Sequence, residues 1–198
     1  MHLFQQHPPQ DLDAALATLP IIDLGPYRSG EDGALNRLAD EIKNACETIG
    51  FFYVINHGIP EELIANAFAQ SRRFHALPLE EKKKIPLDEH NVGYLATNAS
   101  IQGHSTVHKA TKPNQNESFF ITHDRGPDHP DVIAKTPLRG GNYWPENLPG
   151  FREGVMAYFR ALNDLGQQLV PAFAVALGLE PDGLAADFAN ENNAKLRM

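Results

Sequence analysis

Five apolar residues in a row, Phe51 to Ile55 within "GFFYVINHGIP", constrain this chain more than any other stretch. A strand with one wet face alternates apolar and polar side chains. A continuous run rich in aromatic and β-branched residues instead reads as a central strand covered on both faces. Helical patterns flank the run. Before it, Leu35, Leu38, Ile42, Ala45 and Ile49 recur at steps of three and four, with Arg37, Glu41, Lys43, Asn44 and Glu47 on the opposite face, and Gly50 supplies the stop. After it, Asn56-His57-Gly58 turns the chain and Pro60-Glu61-Glu62 opens a second helix, whose inner face is Ile64, Ala67, Phe68, Ser71 and Phe74. His57 is read as part of that turn rather than as a ligand or base.

The other elements follow the same logic. "LPIIDLG" is a short strand ended by Gly25-Pro26, "LEEKKKI" a helical turn whose Lys82 to Lys84 form a solvated face, and "ESFFI" a strand. Phe151, Val155, Tyr158, Leu162, Leu165, Leu169 and Phe173 predict a long helix from about Pro149 to Leu177, closed by Gly178 and kinked at Pro171, which cannot donate to the carbonyl of Gln167. "AKLRM" opens one more strand. The expected organisation is an arm over residues 1–18, a main region over 19–148, and the long helix with the start of another layer over 149–198. So few strands, one of them covered on both faces, do not make a protected sheet, so the chain reads as the first part of a larger fold.

A formal charge of −8 argues against nucleic acid or an anionic membrane as the main partner. No apolar run has the length of a membrane helix, and the first residues lack a basic-then-apolar leader pattern. Cys46, the sole cysteine, excludes an internal disulfide and a thiolate metal cluster; it falls on the first helix's apolar stripe and is expected to be buried and inert in a reducing cytoplasm.

Chemistry-bearing motifs are sparse. The one His-x-Asp, His129-Pro130-Asp131, lies in a Pro- and Asp-rich loop with no histidine after it, which disfavours a metal site. His104 and His108 are four apart, but Ser105, Thr106 and Val107 between them are poor helix formers, so a loop lining a cavity is expected rather than a zinc pair. His75 reads as a partly exposed histidine at a helix end, and Trp144 as a packing anchor for the long helix. No phosphate-cradling glycine loop and no Gly-x-Ser-x-Gly elbow occurs.

Taken in order, "LPIIDLG", "GFFYVINHGIP", "RRFHALPLEEKKKI", Gly93-Tyr94, "NESFF" and "NYWPENLPGFREGVMAYFRALNDLGQQLVPAFAVALGLEPD" resemble the N-terminal half of the isopenicillin N synthase-like oxygenases, from about residue 19 onward. The resemblance implies an α+β, helix-rich portion of a double-stranded β-helix (jelly roll), with most of the roll absent from these residues. It implies an enzyme that uses iron(II), 2-oxoglutarate and dioxygen to oxidise a small organic substrate by hydroxylation, desaturation or ring closure. In that family the iron and 2-oxoglutarate ligands follow the strand that "KLRM" begins, so this chain is expected to be truncated, to hold neither, and to be inactive without the C-terminal half of the fold. The same resemblance makes Tyr94, Asn98, His104, His108 and Phe119 candidates for substrate contact, with core packing the alternative for Tyr94 and Phe119. The competing reading is a non-catalytic truncated relative serving as a binding or regulatory module through its open strand edges.

Overall fold

In the computed structural model, which describes residues 19–99, 101, 111–188 and 192–198, the run Phe51–Ile55 yields only a three-residue strand. Strands β1 (Ile21–Asp23) and β2 (Tyr53–Ile55) lie parallel, with Ile21 opposite Tyr53, Ile22 opposite Val54 and Asp23 opposite Ile55. Between them come a single turn, α1 (Gly25–Arg28), where only a turn was expected after Gly25, and the amphipathic α2 (Ala34–Thr48). A parallel pair needs such a crossover, because a tight hairpin would reverse the second strand.

The chain forms two compact units, Met1–Gly58 with Leu165–Ala189 and Ile59–Asp164 with Asn190–Met198. In the first, Ile22 and Leu24 are sealed against Leu38, Ile42 and Ala45 of α2 and against Ala172, with Phe52, Val54, Leu165 and Leu169 closing in around them. The described residues cover β2 on one face only, as expected for a strand whose other cover belongs to a larger fold. Phe51, Tyr53 and Ile55 are 73%, 51% and 46% exposed, and Ile21 beside them 63%, whereas Phe52 and Val54 point inward. The period of two therefore operates after all, with apolar residues on both faces and cover on only one among the described residues. Cys46 also departs from expectation and is exposed. Ala45 takes the buried position, and one residue further along the helix turns about 100° away from it.

The turn after β2 is built by Asn56 and Gly58, both at positive φ (54° and 77°). Asn56 donates through Nδ2 to Asp23 Oδ1 (2.7 Å), and its carbonyl accepts from Arg28 Nη1 (2.9 Å). The Arg28 guanidinium lies where a Cβ on residue 58 would stand, so glycine is needed there for space as well as for φ. His57 lies half-buried between the two turn-formers.

The second unit contains α3 (Glu61–His75), α4 (Leu79–Lys82), β3 (Gly93–Leu95), β4 (Ser118–Ile121) and α5 (Pro130–Ile133). The long helix α6 (Phe151–Ala176) contributes its first part to this unit and its last part to the other. It continues as one element through Pro171 and is closed by Gly178 at φ 79°. A turn, α7 (Ala185–Phe188), follows in the first unit, and β5 (Leu196–Arg197) returns to the second. Strands β3, β4 and β5 form an antiparallel sheet in that order. The outer edge of β3 is occupied, since Tyr94 N–H donates to the Ile85 carbonyl and Leu87 N–H to the Tyr94 carbonyl.

Helices α3 and α6 cover one face of this sheet with Phe74, Phe151, Val155, Met156 and Phe159, which meet Tyr94, Phe119 and Ile121. Phe74 and Phe119 stack at 4.3 Å between ring centroids, and Phe151 lies 5.7 Å from Phe74 and 5.9 Å from Phe119, closing a three-ring cluster. Each such fully buried side chain contributes about 1.5–3 kcal/mol. Trp144 anchors the start of α6 as expected: its ring meets Phe151 edge-on, and its Nε1 donates to Asp124, which also accepts two bonds from Arg152. Among the described residues no helix is long and apolar enough to cross a membrane.

Candidate functional site

Strand alternation in β4 sorts its residues onto two faces. Glu117, Phe119 and Ile121 turn toward the helices, while Ser118 and Phe120 turn the other way. The ladder adds Tyr94 beside Phe119 on the helix side. It places Leu95 beside Ser118 and Arg197 beside Phe120 on the opposite side.

On the helix side, Glu117 ends the aromatic core with a carboxylate. Lys82 Nζ donates to both of its oxygens, at 3.0 and 2.8 Å, and also to the His75 carbonyl at 3.1 Å. The Tyr94 hydroxyl donates to Oε2 as well. His75 Nδ1 comes to 3.2 Å of Oε1. Lys82 is therefore no part of a solvated face: its side chain is 7% exposed, drawn inward by Glu117 and over the Tyr94 ring, while Lys83 and Lys84 remain outside. Burial would push the Glu117 carboxyl up, but the bonds from Lys82 and Tyr94 outweigh it and hold the group at about 2. Burial, then the bond to this carboxylate, raises the Tyr94 hydroxyl to about 12. A carboxylate held this far into its ionised form is a poor general base. Its role is to join α4 to the sheet.

Of the five residues expected near substrate, three fall among the described residues, where Tyr94 and Phe119 do not share the exposed position of Asn98. Tyr94 is 4% exposed and Phe119 fully buried, both in the helix-side core. Asn98 is exposed in a turn at φ 66°, its N–H donating to the Asn114 carbonyl. His104 and His108 lie outside the described residues. The His-x-Asp pair is engaged locally: His129 Nδ1 caps α5 by accepting from Asp131 N–H (3.2 Å), and Asp131 Oδ2 accepts from Arg139 (3.0 Å). Among the described residues no group of three His, Cys, Asp or Glu side chains is placed to hold a metal ion.

Sequence reasoning missed Glu117, Lys82 and Arg197. Only the period of two, counted from Glu117, separates the faces of "ESFFI" and shows that Ser118 and Phe120 share a side. The partners Lys82 and Arg197 come from segments 35 and 79 positions away from Glu117 and Ser118.

Comparison with known proteins bears on this arrangement. Residues 19–147 match the family model described as "non-haem dioxygenase in morphine synthesis N-terminal". The 2-oxoglutarate-Fe(II) type oxidoreductase hxnY of Emericella nidulans is 32% identical over 166 residues, covering 81% of this chain and 46% of the relative. Isopenicillin N synthase of Streptomyces clavuligerus is 32% identical over 173 residues, covering 82% and 48%. Among solved structures, full-length Neurospora crassa T7H in complex with alpha-KG superposes with a TM-score of 0.71 at 24% identity, over 90% of this chain and 53% of that one. The chain thus spans about half the length of the relatives it matches.

Proposed function

The chain belongs to the non-haem dioxygenase family through its match over residues 19–147, and from that premise we propose that it is the N-terminal part of an iron(II)- and 2-oxoglutarate-dependent oxygenase acting on a small organic substrate. The observation that carries the reading is a family match that covers most of the chain, joined to relatives about twice its length that are named as 2-oxoglutarate-Fe(II) enzymes. In this reading the β3–β4–β5 sheet is the beginning of a jelly roll whose other strands lie outside these 198 residues, and so do the iron and 2-oxoglutarate ligands. The described side chains do not fit an iron site, since His129 and Asp131 are committed to a helix cap and to Arg139. These residues would supply the substrate side of the cavity. Asn98, His104 and His108 are the proposed contacts, with Tyr94 and Phe119 supporting the wall from the core beneath. The reaction would consume dioxygen and 2-oxoglutarate, and a reducing cytoplasm suits its lone cysteine.

The test is to read the coding frame past Met198 and assay the encoded protein. A downstream His-x-Asp, a later His and an Arg-x-Ser, together with succinate release that requires iron(II) and 2-oxoglutarate, are expected. A stop codon at that point with a folded product that releases no succinate would overturn the reading.

A further inference from the structure

The sequence holds two Asp-Gly pairs, Asp32-Gly33 and Asp182-Gly183, both exposed and both in the first unit. An aspartyl-glycyl bond can rearrange without a catalyst, because glycine puts no side chain beside the amide nitrogen that attacks the aspartyl carboxyl. The fold treats the two pairs differently. Gly183 N–H donates to the Glu180 carbonyl at 2.8 Å, so its nitrogen is already engaged. Gly33 stands just before α2 at φ 71°, and its N–H makes no hydrogen bond among the described residues.

The two aspartyl carbonyls differ as well. That of Asp182 accepts from the neutral Ala185 N–H at 2.8 Å. That of Asp32 accepts from the Arg37 guanidinium, through Nη1 at 3.0 Å, while Arg37 Nη2 pairs with Glu31. A cation at a carbonyl oxygen stabilises the negative charge that reaches that oxygen when the attached amide nitrogen loses its proton. It equally stabilises the oxyanion that forms when water adds to the same carbon. Arg37 stands where both charges develop.

We propose that Asp32 is a site of spontaneous modification to isoaspartate, with Arg37 promoting the rearrangement. Gly33 N bonds to Asp32 Cγ, the hydroxyl of the carboxylic acid leaves with the amide proton as water, and a succinimide ring results. Water then adds at the Asp32 carbonyl carbon, the bond from that carbon to Gly33 N breaks, and the nitrogen recovers its proton. The main chain now runs through Cγ, one methylene longer, and the former backbone carbonyl carbon carries a free carboxylate. No oxidant, metal or cofactor takes part. The added methylene lies directly before α2, where Ala34 N–H donates to the Glu31 carbonyl. It therefore disturbs the entry of the helix that carries Leu38 and Ile42 into the core.

The experiment ages the 198-residue chain at neutral pH in heavy-oxygen water and follows the peptides containing residues 32 and 182 by mass spectrometry. Methyl transfer from S-adenosylmethionine by a protein-isoaspartate methyltransferase gives a second readout. In the folded chain residue 32 is expected to convert at least about fivefold faster than residue 182, the effect of one net amide hydrogen bond. In urea the two should convert at similar rates, since neither amide is then engaged. Arg37→Gln should slow residue 32 at least about threefold and leave residue 182 unchanged, with Arg37→Lys between parent and Arg37→Gln. Conversion at residue 182 also reports folding, because a variant that opens the fold releases Gly183 N–H and speeds that position. Equal rates at the two residues in the folded chain, the same ratio persisting in urea, or unchanged conversion of residue 32 in Arg37→Gln would each overturn the proposal.

Discussion

Lys82 Nζ sits between the two carboxylate oxygens of Glu117, 35 positions away, and its side chain is almost wholly withdrawn from water. Removing one partner from such a pair costs more than removing both, because the survivor is left charged with reduced solvation. Lys82→Met should lower stability by about 3 kcal/mol. Lys82→Met combined with Glu117→Leu should cost clearly less than the sum of the two single changes. Urea denaturation of the four proteins measures the coupling, and strict additivity would contradict the pairing.

The same carboxylate predicts an acid response. Its pKa is depressed in the folded state from the ordinary 4.5 to about 2, so its contribution is fully present above about pH 5 and is lost as pH falls toward 2. Because part of the group stays in contact with water, the contribution is discounted to about 1–2 kcal/mol. Glu117→Gln should flatten stability against pH across that interval, as read from urea midpoints between pH 5 and 2.5.

Gly58 combines φ 77° with a guanidinium occupying its Cβ position. Gly58→Ala should destabilise by about 1–2 kcal/mol, chiefly from the left-handed backbone, since the tip of Arg28 can swing away. Gly58→Asn should cost less, because asparagine tolerates that region better. Equal thermal midpoints for the parent and Gly58→Ala would show that the turn is not held at positive φ.

Ile21 and Tyr53 stand opposite each other on the uncovered face of the β1–β2 pair, flanked by Phe51 and Ile55. An apolar strip of this kind promotes association. Ile21→Lys with Tyr53→Glu should reduce concentration-dependent self-association in sedimentation velocity without lowering the thermal midpoint, because neither side chain is buried. An unchanged sedimentation profile would count against the strip as the sticky surface.

Cys46 is exposed and should react with a disulfide reagent in the native protein at close to the rate of a free thiol. Reaction only after unfolding would restore the buried assignment.

The contrast between Cys46 and Lys82 explains how much could be read in advance. Periodicity reports the angle of a side chain on its own element, and so α2, α3 and α6, with strands at "LPIID", "ESFFI" and "KLRM", were legible. It says nothing of what stands opposite. Lys82 was grouped with Lys83 and Lys84 because all three are lysines, yet only Lys82 is drawn out of water by its carboxylate, while Lys83 and Lys84 pair with Glu80 and Glu81 at the surface. The run Phe51–Ile55 carries apolar residues on both faces, and the described residues cover only its Phe52–Val54 side. Family resemblance pointed to Tyr94 and Phe119, but whether they pack inward depends on strand neighbours that it does not specify, and both sit on the helix side of their strands.

The interleaving of the two units along the chain also sets an order of events on the ribosome. The sealed residues Ile22, Leu24, Leu38 and Ile42 must wait for Leu165, Leu169 and Ala172 to be synthesised, and β4 must wait for β5 some 75 residues later. Neither unit can close until these later segments emerge, so both nascent cores stay open through most of the synthesis of these 198 residues. The vulnerable period for this protein is therefore its synthesis, and a holdase chaperone acting on the emerging chain should raise its soluble yield more than one added after release.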